Sequence, residues 1–192
     1  MSRNNPSPIR SFLFAPGNHP RKVEKVFVAG ADAVILDLED AVAISEKEAT
    51  RSKVIEAMKQ DRNCLGYIRV NSLETSFCED DIRSVIGSWL DGIVLPKVED
   101  ANMLKQVDSL VSTAEISKGL VSGKIDLMPI IETARGVENA TEIASASARV
   151  RRVAFGGGDY TLDLDYLWTE DEEVLSYGRA RLSHASRVAG ID

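Results

Sequence analysis

The sequence has few cysteines and no long hydrophobic run, and each lack excludes a class of protein. Its two cysteines, Cys64 and Cys78, are too few for a disulfide scaffold and lack the spacing of metal ligands. We therefore expect two free thiols and a cytoplasmic protein. No apolar run approaches the roughly 18 residues of a membrane span. The N-terminal segment is not followed by the apolar stretch of a secretory signal.

Basic charge and the common nucleotide-binding motifs are also missing. The 23 basic residues are outnumbered by 30 acidic ones, and the formal charge of −7 argues against nucleic-acid binding. The three glycines at 156–158 would let backbone approach a ligand closely. They lack both the Lys-Ser or Lys-Thr pair of a P-loop and the spacing of a dinucleotide-binding loop. The acidic stretch 163–173 does not match a calcium loop, because Leu167 stands at a ligand position.

Six short apolar runs, each ending in polar or glycine residues, recur along the chain. They are continuous rather than alternating, which is typical of strands buried on both faces of a parallel sheet. The runs are SFLFAPG from Ser11, AVILDLED from Ala33, GYIRVN from Gly66, GIVLPK from Gly92, DLMPIIET from Asp126 and RVAFGGGD from Arg152.

Segments with helical spacing of apolar residues separate the runs. One of them opens with Ser45 and has Glu48 three residues later, which predicts a capping box. The predicted helices cover residues 20–29, 45–58, 80–90, 99–112, 133–147 and 170–189. The alternation of strand and helix predicts an α/β protein with a parallel sheet and a single domain over 1–192.

Two architectures fit six β/α units. One is an open, doubly wound sheet, and the other is a (β/α)8 barrel without its final quarter, since a complete barrel needs about 250 residues. Residues 190–192 resemble the beginning of a seventh strand. The pattern alone leaves both architectures open.

Charged and polar residues cluster where the apolar runs end. In either architecture the carboxyl ends of parallel strands share one face, where ligands bind. A concentration of charge there points to function, because buried charge is costly unless it is paired or bound to metal. The residues are Asp37, Glu39, Asp40, Arg69, Asn71, Lys97, Glu132 and Asp159.

Two of these carboxylates suit a metal. Glu132 and Asp159 follow neighbouring runs, and Mg²⁺ is typically held by one or two carboxylates together with water and substrate oxygens. The alternative is that each is a loop residue or a helix N-cap.

The remaining charged groups also have two interpretations. Arg69 at a strand end suits bidentate capture of a substrate carboxylate, or else an ion pair with one of the nearby acids. Asp37 and Glu39 share a strand face, and the structural alternative for these acids is a salt bridge, for example to Lys47 or Arg51.

Six sequence blocks together resemble the citrate lyase beta subunit family. That family also contains malyl-CoA and citramalyl-CoA lyases and falls within the HpcH/HpaI group of pyruvate-dependent class II aldolases. The blocks are RSFLFAPGNHPRKVEK, ADAVILDLEDAV, YIRVN, GIVLPKVE, MPIIETARGVENATEIA and VAFGGGDYTLDL.

The resemblance implies a Mg²⁺-dependent TIM barrel and assigns roles to individual residues. It implies that Glu132 and Asp159 hold the metal and that Arg69 grips the substrate carboxylate. It places the loop of Gly17 and Arg21 near the CoA side. Three acids, Asp37, Glu39 and Asp40, match the block that lines the site. Related hydroxy-oxo-acid aldolases have a His where Asp40 stands, which favours thioester lyase chemistry over simple aldehyde aldolase chemistry. Separately, Asp40 is a candidate proton donor because it is an acid near the expected site.

The implied activity is cleavage of a citryl-, malyl- or citramalyl-type CoA thioester to acetyl-CoA and a 2-oxo acid. Two alternatives are an oxo-acid aldolase or acyl-CoA thioesterase on the same scaffold, and a non-catalytic ligand-binding subunit. The resemblance also implies a homo-oligomer, commonly a trimer, or a place in a lyase complex. Family members usually extend past residue 192, so we expect a barrel truncated after about six units, without strands seven and eight.

Overall fold

Six parallel strands form one sheet whose spatial order follows the sequence, β1-β2-β3-β4-β5-β6. The structure is a computed structural model, and it describes residues 9–192. The strands are β1 (Phe12–Pro16), β2 (Ala33–Asp37), β3 (Leu65–Arg69), β4 (Gly92–Leu95), β5 (Asp126–Ile131) and β6 (Ala154–Phe155). A doubly wound sheet reverses its strand order at a switch point. The sequential order therefore excludes that architecture and confirms six β/α units of a TIM-type barrel.

The helices alternate with the strands, and a short 3-10 helix, Ile44–Glu46, precedes the second of them. They are α1 (Pro20–Phe27), α2 (Lys47–Met58), α3 (Cys78–Val85), α4 (Ala101–Ser117), α5 (Ala134–Glu138), α6 (Ala140–Ala144), α7 (Gly157–Asp163) and α8 (Glu173–Ala189). Within residues 9–192, no helix is both long and apolar enough to cross a membrane.

The two faces of the sheet bury different sets of apolar side chains. On β2, Val34 and Leu36 pack into the larger cluster together with the helices, whereas Ala33 and Ile35 belong to a smaller one with Tyr67. Successive side chains of a strand point to opposite faces. The smaller cluster is therefore the barrel interior, and burial on both faces explains why the runs are continuously apolar.

One predicted helix start and one predicted continuous helix are wrong. Ser45 does not cap α2, because it lies within the 3-10 helix, and Glu46 at the cap position makes no side-chain cap bond. The segment 133–147 is split between α5 and α6 at Asn139, whose side chain donates to the carbonyl of Glu99 at 2.9 Å. That tertiary bond turns the chain where local spacing predicts a continuous helix.

Two further boundaries differ from the prediction. The segment 80–90 is helical only to Val85, where Lys118 from the end of α4 donates to three carbonyls of the 83–86 stretch. The pattern also gave no sign of α7. The sixth strand ends at Phe155, and Asp159 therefore lies in the first turn of α7 rather than at the end of a strand. Both cysteines are free, as predicted.

Candidate active site

A bidentate ion pair joins the ends of β2 and β3. The strand register places Asp37 opposite Arg69. The arginine donates through Nε to Oδ1 and through Nη2 to Oδ2, both at 2.7 Å. Burial raises the pKa of Asp37, but the bonds from Arg69 outweigh this and hold that pKa below its ordinary value. The guanidinium also lies 5.3 Å from the centre of the Phe14 ring, so it is fixed by a carboxylate and supported by a ring.

Two more carboxylates extend this cluster toward β4. Glu39 is only 5% exposed, and its Oε2 lies 3.1 Å from Nη1 of Arg69 while its Oε1 lies 3.2 Å from Nζ of Lys97. Burial holds the pKa of Glu39 above its ordinary value in spite of the two cations. Asp40 is more open, with its side chain 54% exposed and 3.8 Å from the Lys97 ammonium. Asp40 is therefore the acid in this group with the freest access to a ligand.

Lys97 connects the clusters on the two sides of the barrel mouth. It follows β4 with φ at 53°, in the left-handed region that a non-glycine residue seldom adopts. Its ammonium lies 3.8 Å from Oδ2 of Asp159, and its backbone amide donates to Oε1 of Glu132 at 2.9 Å. Burial lowers the pKa of Lys97, but the carboxylates, Glu39 first among them, raise it above its ordinary value. The side chain is therefore a permanent cation at neutral pH.

Glu132 and Asp159 lie at the far side of the same mouth. Glu132 directly follows β5 and is 4% exposed, and burial raises its pKa to about 7. Across residues 9–192, no lysine or arginine forms an ion pair with it. The backbone of Gly156 passes so close that a Cβ there would lie 2.1 Å from Oε2 of Glu132. Glycine at 156 therefore makes room for the buried carboxylate.

The side chains present fit a hard divalent cation. Glu132 is a buried carboxylate without an ion-pair partner among residues 9–192, and the negative charge of Asp159 adds to the rise in its pKa. Asp159 is partly open to solvent, and two such carboxylates provide the oxygen ligands that Mg²⁺ prefers. The described residues contain no cluster of three or more His, Cys, Asp or Glu side chains that could hold a metal. Water and substrate oxygens would therefore complete the coordination, as is usual for Mg²⁺.

Comparison with known proteins gives this geometry its context. Residues 10–192 match the model of the family described as HpcH/HpaI aldolase/citrate lyase. The chain belongs to the HpcH/HpaI aldolase/citrate lyase family. This confirms the family predicted from the six sequence blocks.

Two curated relatives and one solved structure show how far the family similarity extends. The chain is 39% identical to the citrate lyase subunit beta of Leuconostoc mesenteroides subsp. cremoris, over 98% of this chain and 63% of that protein. It is 36% identical to an L-malyl-CoA/beta-methylmalyl-CoA lyase of Cereibacter sphaeroides, over 82% of this chain and 51% of that protein. The chain thus spans less than two thirds of the length of these relatives.

The solved structure is protein CitE from Mycobacterium tuberculosis in complex with magnesium, acetoacetate and coenzyme A. It is 29% identical, covers 94% of this chain and 62% of its own, and superposes with a TM-score of 0.75. At this identity and TM-score, the shared fold extends over almost the whole of the described chain.

The structure brings most of the site residues predicted from the family motifs together. The contacts of Arg69 and Lys97 connect five acids of the mouth into one group: Asp37, Glu39, Asp40, Glu132 and Asp159. Their roles in binding and catalysis stay predictions. Asn71 lies deeper and donates through its side chain to the carbonyl of Leu38 and to Asp81.

The β1–α1 loop lies beside this group. The Gly17 amide donates to the carbonyl of Asp37 at 2.9 Å, and a Cβ at Gly17 would lie 2.5 Å from Cγ1 of Val54. Glycine is thus required by packing at this position. Arg21 is exposed in the first turn of α1, and its CoA role also stays a prediction.

The predicted alternative salt bridges have different partners. Lys47 donates to the carbonyls of Leu38 and Glu39, at 3.0 and 2.6 Å, and Arg51 pairs with Asp81 at 2.7 Å. Neither forms an ion pair with Asp37, whose partner is Arg69. The ion pair considered as the alternative for Arg69 is present, so any substrate carboxylate must share this arginine with Asp37. The sequence placed Lys97 among the charged residues at the strand ends but gave it no specific role, and neither its contacts with the acids nor its amide bond to Glu132 was predicted.

Proposed function

We propose that this chain supplies the metal- and carboxylate-binding side of a carbon–carbon lyase. The substrate class is a 3-hydroxyacyl-CoA thioester of the citryl, malyl or citramalyl type, and the products are acetyl-CoA and a 2-oxo acid. The observation that carries the proposal is the meeting of Arg69 with Glu132 and Asp159 at one mouth, connected through Lys97. The citrate lyase and malyl-CoA lyase relatives support the reaction class.

Arg69 is the proposed anchor for the substrate carboxylate. A guanidinium has five N–H donors. Asp37 accepts from two of them, and Glu39 lies against Nη1. The N–H bonds that remain at the Nη end can bind a further carboxylate. Because the buried pair with Asp37 fixes the guanidinium plane in advance, the substrate is oriented without ordering a mobile side chain.

Glu132 and Asp159 are the proposed Mg²⁺ ligands. An ion held there would supply Lewis-acid chemistry to the substrate. The magnesium in the CitE complex supports the choice of metal. The chain's own contribution is to hold one ligand rigidly, through the Lys97 amide and the close Gly156 backbone, and to leave the other exposed enough for exchange.

The reaction requires two proton movements. The 3-hydroxyl loses its proton as the C–C bond breaks, and the electron pair of that bond goes to the carbon next to the thioester, which must then be protonated. Asp40, the most exposed acid of the group, is the proposed proton carrier: as a carboxylate it would accept the hydroxyl proton and then donate that proton to the carbon. Lys97 keeps its proton and would stabilise the negative charge that develops nearby.

The loop of Gly17 and Arg21 is the proposed contact for CoA, and an exposed arginine there suits a phosphate. The coenzyme A in the CitE complex supports CoA as the carrier. We also propose a homo-oligomer, or a subunit of a lyase complex, which the name of the citrate lyase relatives supports. The two free cysteines support a cytoplasmic location.

Product analysis on two variants tests the proposal. Citryl-, malyl- and citramalyl-CoA are supplied with Mg²⁺ to the wild type, Glu132→Gln, Asp159→Asn and a control, Glu142→Gln, which changes an exposed acid of α6. We expect the wild type and the control to form acetyl-CoA and a 2-oxo acid, and the two site variants to form neither. Cleavage retained in either site variant contradicts the metal assignment. Free CoA without a new 2-oxo acid would indicate hydrolysis instead.

A further inference from the structure

Three carboxylates from two parts of the fold surround one ammonium group. Nζ of Lys97 lies 3.2 Å from Oε1 of Glu39, 3.8 Å from Oδ1 of Asp40 and 3.8 Å from Oδ2 of Asp159. The lysine side chain is 39% exposed, so it is not held in place by burial alone. The Lys97 ammonium is therefore the common partner of the three acids, and its shortest contact is with Glu39 rather than with Asp159.

The backbone of the same residue holds the other proposed metal ligand. The Lys97 amide donates to Oε1 of Glu132, and the left-handed backbone at φ 53° lets the amide and the side chain serve the two ligands at once. Left-handed backbone disfavours residues with a Cβ, so lysine at this position carries a backbone cost that glycine would not. The side chain is therefore the part of Lys97 that needs a functional explanation.

We propose that Lys97 is a displaceable internal cation, a positioning residue that neutralises Asp159 in the metal-free protein and releases it when a divalent ion binds. This inference rests on the proposed metal site. An ion shared by Glu132 and Asp159 repels a nearby ammonium, and the flexible four-carbon stem of lysine allows it to withdraw. Glu39 and Asp40 are already in contact with the ammonium, so it keeps two partners after it leaves Asp159.

The inference predicts that lysine charge and metal compete. Removing one positive charge next to a divalent ion should tighten binding by roughly tenfold, by the Coulomb energy of such charges in a half-exposed site. Lys97→Gly removes the ammonium and keeps a residue that favours φ 53°, so it leaves the amide bond to Glu132 in place. Lys97→Met removes the charge but keeps a side chain of similar length. Lys97→Arg keeps the charge, and Lys53→Met removes an exposed lysine from α2.

Calorimetric titration with Mg²⁺, without substrate, tests this on the wild type and the four variants. We expect Lys97→Gly and Lys97→Met to bind Mg²⁺ about tenfold more tightly, with Lys97→Arg and Lys53→Met matching the wild type. Melting in the absence of metal checks that each variant is folded. Unchanged or weaker binding in both Lys97→Gly and Lys97→Met overturns the inference and leaves the metal site standing. A wild type that binds no Mg²⁺ overturns the metal site itself.

Discussion

Substituting Gly156 by alanine tests where the Glu132 carboxylate lies. A Cβ at this position would lie 2.1 Å from Oε2 and 2.6 Å from Cβ of Glu132. Non-bonded atoms approach to about 3.5 Å, so the two residues must separate by about 1 Å. The φ of Gly156 is −93°, which alanine adopts without strain. The backbone also cannot withdraw freely, since the Gly156 amide donates to the carbonyl of Ile131 at 3.1 Å.

The expected effects follow from that displacement. Overpacking of this kind costs about 1–3 kcal/mol in free energy of unfolding. Changing a residue that holds a metal ligand in place lowers metal affinity by about 10- to 100-fold. Gly158→Ala is the matched control, because a Cβ there meets only Trp168, at an ordinary 3.8 Å. It lies in α7, where alanine stabilises a helix relative to glycine by up to about 1 kcal/mol.

Urea unfolding without metal and calorimetric titration with Mg²⁺ measure the two effects separately. We expect Gly156→Ala to lose both stability and Mg²⁺ affinity, and Gly158→Ala to keep its affinity and to be at least as stable as the wild type. If Gly156→Ala matches the control in both measurements, Glu132 does not lie against this backbone and the reasoning is refuted.

Three further predictions concern stability and substrate binding. Burial raises the pKa of Glu115, but hydrogen bonds from Arg149 outweigh this effect and hold that pKa below its ordinary value of 4.5. The ionised carboxylate therefore stabilises the fold fully above pH 4.5. This stabilisation is lost as the pH falls through the lower pKa of the folded state. Urea unfolding should therefore show Glu115→Gln destabilised by about 3 kcal/mol at pH 7 and by progressively less below pH 4.5; a constant difference contradicts this. Arg69→Lys keeps the charge but cannot bond Asp37 in the same bidentate way. It should lose about 2 kcal/mol in free energy of unfolding and bind oxaloacetate more weakly in a titration. Unchanged stability and affinity would show that the planar guanidinium is not needed. Gly17→Ala should lose about 1–3 kcal/mol in urea, because its Cβ meets Val54, and wild-type stability would refute that packing.

The fold was accessible from the sequence where one physical rule dominated. Continuous apolar runs mark strands buried on both faces, and all six runs contain a strand. The pattern could not show the break at Asn139 or the end of α3 at Val85, because each depends on a bond from a distant element. The sixth run was expected to end at Asp159, whereas the strand ends at Phe155 and α7 begins at Gly157.

The sequence predicted which residues gather at the candidate site but not which of them form ion pairs with each other. Strand ends of a parallel sheet meet on one face, so the gathering of Arg69 with the acids follows from topology. Which acid Arg69 pairs with depends on the β2–β3 register, which places Asp37 opposite it. Lys97 contacts both Glu132 and Asp159 because its backbone is left-handed, and a lysine in the sequence does not predict that conformation.

The most direct test of the central claim is anomalous diffraction from crystals grown with Mn²⁺, a metal that accepts the same oxygen ligands as Mg²⁺. We predict one anomalous peak bonded to both Glu132 and Asp159, with the Lys97 ammonium withdrawn toward Glu39. A peak elsewhere, or no peak while Asp159 still faces Lys97, would contradict it.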